Sequence, residues 1–254
     1  MIFSGLDGLG GFDVTQILLA AVAFFIGGFL RGFVGFGGAL VVIPILALAF
    51  TPKFAVVLHA IAELPGIALL LPTAARQCAR KTVLPMLLAL LVGTPLGVYA
   101  LTIVDAGSMR IVISALVLIM VGMLVLNKRI VFGTGAKVTV TGGIVGGVIQ
   151  GAAGIGGPPV VALLLSRGDE PETTRSNIVV MMSGMVIIAL PFLWAYGLIS
   201  IQSLILGGFA SPIYLLAAYL GSQYFRTGGS DIYRIVALYI LALTAISTLL
   251  FSFI

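Results

Sequence analysis

Long apolar runs alternate with short polar or glycine-rich breaks along the whole chain. The runs lie near 14–30, 38–50, 54–72, 82–104, 108–127, 138–150, 157–166, 175–196, 200–222 and 232–253. Six of them, 54–72, 82–104, 108–127, 175–196, 200–222 and 232–253, are long enough to cross a hydrocarbon core of ~30 Å at about 1.5 Å per residue. The other four form two pairs, 14–30 with 38–50 and 138–150 with 157–166, each split by glycines. Several of these four fall short of the ~20 residues that a span needs. The pattern predicts an all-α polytopic membrane protein in which two glycine-broken hairpins accompany the full spans.

Composition points the same way. Of 254 residues, 61% are hydrophobic and 8% charged, with a mean hydropathy of +1.27. Soluble domains carry about 25% charge, so there is no sizeable soluble domain here. The lone Cys78 excludes a disulfide framework and a cysteine metal site. The N-terminal residues hold Asp7 and Asp13 but no cation, so no cleavable signal is expected and the first apolar run is a structural segment.

The net charge of +5 is a topology signal, not a nucleic-acid footprint. Arg76, Arg80 and Lys81 share one loop; Lys128, Arg129 and Lys137 a second; Arg167 and Arg175 a third; Arg226 and Arg234 a fourth. These loops are cytoplasmic by the positive-inside rule, while the outer loops keep only Lys53 and Arg110. Both termini then lie outside, and 14–50 and 138–166 each leave and return on one side. Arg31 is placed in the first glycine break.

The chain repeats itself. GGFLRGFVGFGG (Gly27 to Gly38) aligns without a gap on GGVIQGAAGIGG (Gly146 to Gly157), matching six glycines and setting Arg31 opposite Gln150. The same register carries Pro52 onto Pro171; after a five-residue slip, Gly97 falls on Gly221 and Arg110 on Arg234. The expected units are residues 1–130 and 131–254, each a hairpin followed by three spans. By the charge topology the two are inverted, the arrangement of secondary transporters with a midplane site.

Broken backbone in a bilayer survives where it lines a cavity or is buried in protein. The short helices starting near Gly38 and Gly157 point free N–H groups and a positive dipole end at the breaks, which favours anions. A cation at depth costs at least ~2.5–3.5 kcal/mol, so Arg31 is the candidate anion ligand; its alternative is snorkelling to the interface. Isolated pairs such as Gly93 with Gly97 are read as helix-packing positions.

His59 and Glu63 share a helix face, with Glu63 near the bilayer centre. An ionisable group there is a functional candidate. Glu63 is either a proton-titrating residue, with His59 beside it, or a static partner of Arg31 or of a backbone break. Asn177 and Ser183 in the second half either line the site or bond between helices. Trp194 and Tyr196 read as interfacial anchors. No zinc-protease, intramembrane serine or Walker A motif occurs, so neither an enzyme nor an ATP-driven pump is expected, and no cofactor or metal.

RGFVGFGGALVVIPIL (Arg31 to Leu46) and QGAAGIGGPPVVALLL (Gln150 to Leu165) resemble the paired glycine signatures of the TauE/SafE family of membrane permeases. The pattern calls for a further small residue after the double glycine; Ala39 supplies it once, and Pro158 stands there in the second cluster. The resemblance implies export of sulfite, or movement of sulfonates such as sulfoacetate or taurine, across the plasma (inner) membrane. It also implies that Gly35, Gly37, Gly38, Gly154, Gly156 and Gly157 form two apposed breaks of a substrate path. With Arg31, Gln150 and Asn177 these are the candidate substrate-binding residues; Glu63 and His59 are the proton-coupling candidates. The partners expected are a small anion and the bilayer, with self-association left open. A gated anion channel, a cation transporter using Glu63 and a non-transporting scaffold subunit are the rival readings. Outward movement of one negative charge gains about 2.3 kcal/mol per 100 mV, so export needs no coupling ion whereas uptake does.

Overall fold

The computed structural model describes residues 12–34, 37–125 and 135–226. The described residues are helical and contain no strand. In chain order the helices are α1 (Val14–Val34), α2 (Gly38–Ala49), α3 (Pro52–Gln77), α4 (Arg80–Ile103), α5 (Ala106–Val125), α6 (Ala136–Ala153), α7 (Gly157–Ser166), α8 (Pro171–Ala195) and α9 (Ile201–Arg226). Five are long and apolar enough to cross a membrane: α1, α3, α4, α8 and α9. The chain is a multi-pass helical membrane protein. The expected span 232–253 lies outside the described residues.

Local chemistry sets the helix bounds. Thr51 caps α3 by accepting from the Phe54 N–H at 3.3 Å, with Pro52 at the first position, where its missing N–H leaves no bond unmade. Pro171 starts α8 in the same way. Interior prolines such as Pro65, Pro95 and Pro191 are of the kind that membrane-spanning helices accommodate. The outward faces are apolar: Leu18, Leu69, Leu88, Leu96 and Leu216 are all more than half exposed, as lipid-facing residues are. Trp194 is 74% exposed in the last turn of α8, a helix end where an interfacial anchor belongs.

One expectation is corrected. Arg31 is not in the glycine break but in the last turn of α1, a helix of 21 residues that runs unbroken through Gly27, Gly28 and Gly32. Those glycines keep helical geometry and give up side chains for close packing instead. A Cβ on Gly28 would strike the Tyr214 carbonyl, and one on Gly32 that of Ala218.

The two hairpins are uneven. α2 has 12 residues and α7 has 10, or about 18 and 15 Å, half a bilayer. Their partners α1 and α6 have 21 and 18. α2 runs back along α1, with Gln16 Nε2 donating to the Ala49 carbonyl at 2.9 Å and Gly38 lying beside Gly27 and Arg31. Arg110 of α5 fixes the far end of α2 by donating to the Ala47 carbonyl at 2.7 Å and the Phe50 carbonyl at 3.2 Å. Lys53 does the same for the end of α4, through the Thr102 carbonyl at 2.8 Å.

Early and late helices are interleaved. α1 packs on α9 and α6 packs on α4, while α3 and α8 meet centrally. The close approaches come in pairs. Gly28 sits over the Tyr214 carbonyl and Gly147 over that of Leu90; Gly32 sits over Ala218 and Gly151 over Thr94; Gly221 sits over Phe29 and Gly97 over Val148. Each pair obeys the sequence registers that lay Arg31 on Gln150 and Gly97 on Gly221.

Candidate functional site

Three helices bring polar groups together. α3 and α9 each have 26 residues, and Glu63 and Tyr214 stand near their middles. Helix side chains lean toward the N-terminus, so Arg31, late in α1, reaches back toward the same level. Arg31 Nη1 lies 3.1 Å from Glu63 Oε1. The Tyr214 hydroxyl donates to that same oxygen at 3.0 Å. Arg31 retains 18% side-chain exposure and Glu63 only 6%. His59, one turn before Glu63, stands edge-on to the Tyr214 ring at 5.8 Å, and its Nε2 is buried without a hydrogen-bond partner. Phe24 meets the Tyr214 ring edge-on at 6.1 Å. The carboxylate thus takes two donors on one oxygen inside an apolar shell.

The first break adjoins this cluster. Gly37 has φ 92°, left-handed geometry that favours glycine, and α2 starts at the next residue. A Cβ on Gly38 would lie 2.6 Å from the Tyr214 hydroxyl and 3.3 Å from Arg31 Cβ. The positive end of α2 therefore stands beside the ion pair. Gly35 lies outside the described residues.

The second break is neutral and satisfies itself. Gln150 Oε1 accepts the buried Gly156 N–H at 3.1 Å, and the Gln150 carbonyl accepts the Gly154 N–H at 2.8 Å. Gly154 ends α6 with φ 68°, and its missing side chain makes room for Ile43 of α2. A Cβ on Gly157 would come within 3.0 Å of Met182 Sδ. Pro158 and Pro159 fit the first turn of α7, whose N–H groups have no helical partner.

The internal register makes the asymmetry specific. The alignment that lays Arg31 on Gln150 lays Glu63 on Met182 and His59 on Ile178, and the slipped alignment that lays Gly97 on Gly221 sets Leu90 against Tyr214. A polar quartet in one place is matched by an uncharged, largely apolar quartet in the other.

Asn177 is not among these groups. It is fully buried near the start of α8, where its Oδ1 accepts the Ala79 N–H at 2.7 Å and ties α8 to the loop before α4; its Nδ2 has no partner. The residue that sequence reasoning missed is Tyr214. Its signal was a tyrosine in the middle of an apolar span, where tyrosines usually mark the ends.

Among the described residues, long apolar helices, two short helices that follow glycine breaks and the Arg31–Glu63 pair beside the first of them are the features that the family comparison has to account for. The family model described as "Sulfite exporter TauE/SafE" matches residues 19–248, nearly the whole chain, and the chain belongs to that family. It is a membrane transporter of the sulfite-exporter type. No curated protein and no solved structure gives a significant match.

Proposed function

We propose that this chain is a secondary transporter that exports sulfite or a related small sulfur oxyanion across the plasma membrane by alternating access. In this reading residues 1–130 and 131–254 are inverted halves, with both termini outside, and the substrate passes between the two glycine breaks. Gly35, Gly37 and Gly38 border the path on one side; Gly154, Gly156, Gly157 and Gln150 border it on the other. Asn177 contributes at the cytoplasmic end, where it holds the loop before α4.

The observation that carries the reading is the Arg31–Glu63 pair beside the start of α2. A guanidinium next to a helix N-terminus is a site for an oxyanion, and here the protein's own carboxylate occupies it. A proton taken up by Glu63 dissolves the pair and frees Arg31 for the substrate. Loss of that proton restores the pair and expels the anion. His59, with an unpartnered ring nitrogen one turn away, is the group that passes the proton.

The test is sulfite flux into proteoliposomes, with a panel of sulfonates, comparing the native chain with Arg31→Ala. Saturable flux with counterflow, abolished by Arg31→Ala, is expected; unsaturable flux identifies a channel instead. A proton carried with a monovalent anion cancels its charge, so an imposed potential should leave that flux unchanged. Uncoupled export would instead respond with about 2.3 kcal/mol per 100 mV.

A further inference from the structure

Tyr214 is held more closely to the ion pair than a packing residue requires. Its hydroxyl donates to the one carboxylate oxygen that Arg31 also approaches, and it lies where a side chain on Gly38 would fall. Its ring stands edge-on to both Phe24 and His59, so the position of the hydroxyl oxygen is set by packing. The groups facing Glu63 are Arg31 from α1, His59 from α3 and Tyr214 from α9, with the start of α2 alongside. At the register-related site all four positions lack the function together: Gln150 for Arg31, Ile178 for His59 and Met182 for Glu63 in the second unit, and Leu90 for Tyr214 in the first. A tyrosine serving only helix packing has no reason to differ in step with the charges, since Leu90 carries the equivalent backbone contact with Gly147.

We propose that Tyr214 is a substrate-ligating residue: its hydroxyl, now donated to Glu63, passes to an oxygen of the bound anion, which takes the carboxylate's place between Tyr214 and Arg31. This rests on the anion-transport reading above and adds a second ligand to it. The arrangement selects an oxyanion with an exposed, charged oxygen able to accept from a guanidinium and a phenol together. It also makes Glu63 a competitor of the substrate for the same two donors. Among the described residues the register-related counterpart has neither donor, so it offers no second site of this kind.

The experiment measures sulfite affinity from the concentration dependence of thermal stabilisation of the purified full chain, in the native protein, Tyr214→Phe, Glu63→Gln and the double variant. Glu63→Leu serves as a second background if the amide variant folds poorly. Phenylalanine keeps the ring contacts, so the unliganded melting profile of Tyr214→Phe reports any structural damage separately. The expected result is sulfite binding weakened about tenfold by Tyr214→Phe, as for loss of one hydrogen bond to a charged acceptor, in both backgrounds, with Glu63→Gln alone binding more tightly than the native chain. If the effect of Tyr214→Phe disappears once Glu63 is neutral, Tyr214 only positions Glu63 and the proposal is overturned. Unchanged affinity in every background overturns it equally. A native chain that binds neither sulfite nor any sulfonate overturns the transport reading itself, a result distinct from the other two.

Discussion

The Arg31–Glu63 pair can be taken apart one charge at a time, and the structure says what each step costs. At 3.1 Å the attraction is about 5 kcal/mol for an effective dielectric constant near 20. Burying the two ions costs several kcal/mol each, so the pair as a unit adds little to stability. Its halves behave differently. Removal of one partner from a buried pair typically costs about 3–5 kcal/mol, because the other charge is left uncompensated. Arg31→Met leaves Glu63 with the Tyr214 hydroxyl, a charge-assisted bond that offsets part of the loss, and belongs at the low end of that range. Glu63→Met strands both the guanidinium and the hydroxyl and belongs at the high end. The double variant, with two apolar side chains of similar length, should recover most of the stability lost in either single one. Thermal unfolding in one detergent at one scan rate measures the series, since irreversible unfolding makes the midpoint rate-dependent. The predicted order is Glu63→Met least stable, then Arg31→Met, then the double variant. If the two single losses add in the double variant, the residues are not coupled and the reasoning is refuted.

Helix packing and capping give two further expectations. Gly32→Ala drives a methyl group into the Ala218 carbonyl of α9 and should lose about 3 kcal/mol, as overpacking against backbone does. Gly66→Ala, with nothing near it, should gain up to about 1 kcal/mol from helix propensity; equal effects in thermal unfolding would contradict the packing account. Asp105 caps α5, and hydrogen bonds from the Ser108 backbone and side chain hold its carboxyl below the usual carboxylate value. Its stabilisation is therefore present above the ordinary carboxylate range and lost as pH falls through the lowered value. Asp105→Asn should flatten the acid limb of the stability–pH curve, and an unchanged limb would show that the cap does not matter.

Helix positions were legible in the sequence because apolar runs and glycine breaks report directly on what lipid tolerates. The expected runs 38–50 and 157–166 became α2 and α7 almost residue for residue. Arg31 was harder to place, since consecutive glycines look the same whether they break a helix or admit a neighbouring backbone. The carbonyls of Tyr214 and Ala218, which decide between the two, lie far along the chain. The Arg31–Glu63 contact was one of the open readings for Glu63, but spacing alone does not choose between a titrating group and a static partner. Tyr214 was out of reach for a related reason: Glu63 and Tyr214 are separated by 151 residues, and only the packing of α1 and α3 on α9 brings them together. For Asn177 the sequence left two readings open, lining the site or bonding between helices, and its side chain ties α8 to the loop before α4.

The crossed packing of the hairpins has a consequence for biogenesis. Arg31 and Glu63 both belong to the first helices made, so the buried cation can enter the bilayer with its counter-ion before the second half exists. α9 arrives late, and with it both the surface that seats Gly28 and Gly32 and the hydroxyl that completes the cluster. A chain halted before α9 is left with a neutralised, unfinished centre and an α1 whose glycine face has nothing to rest on.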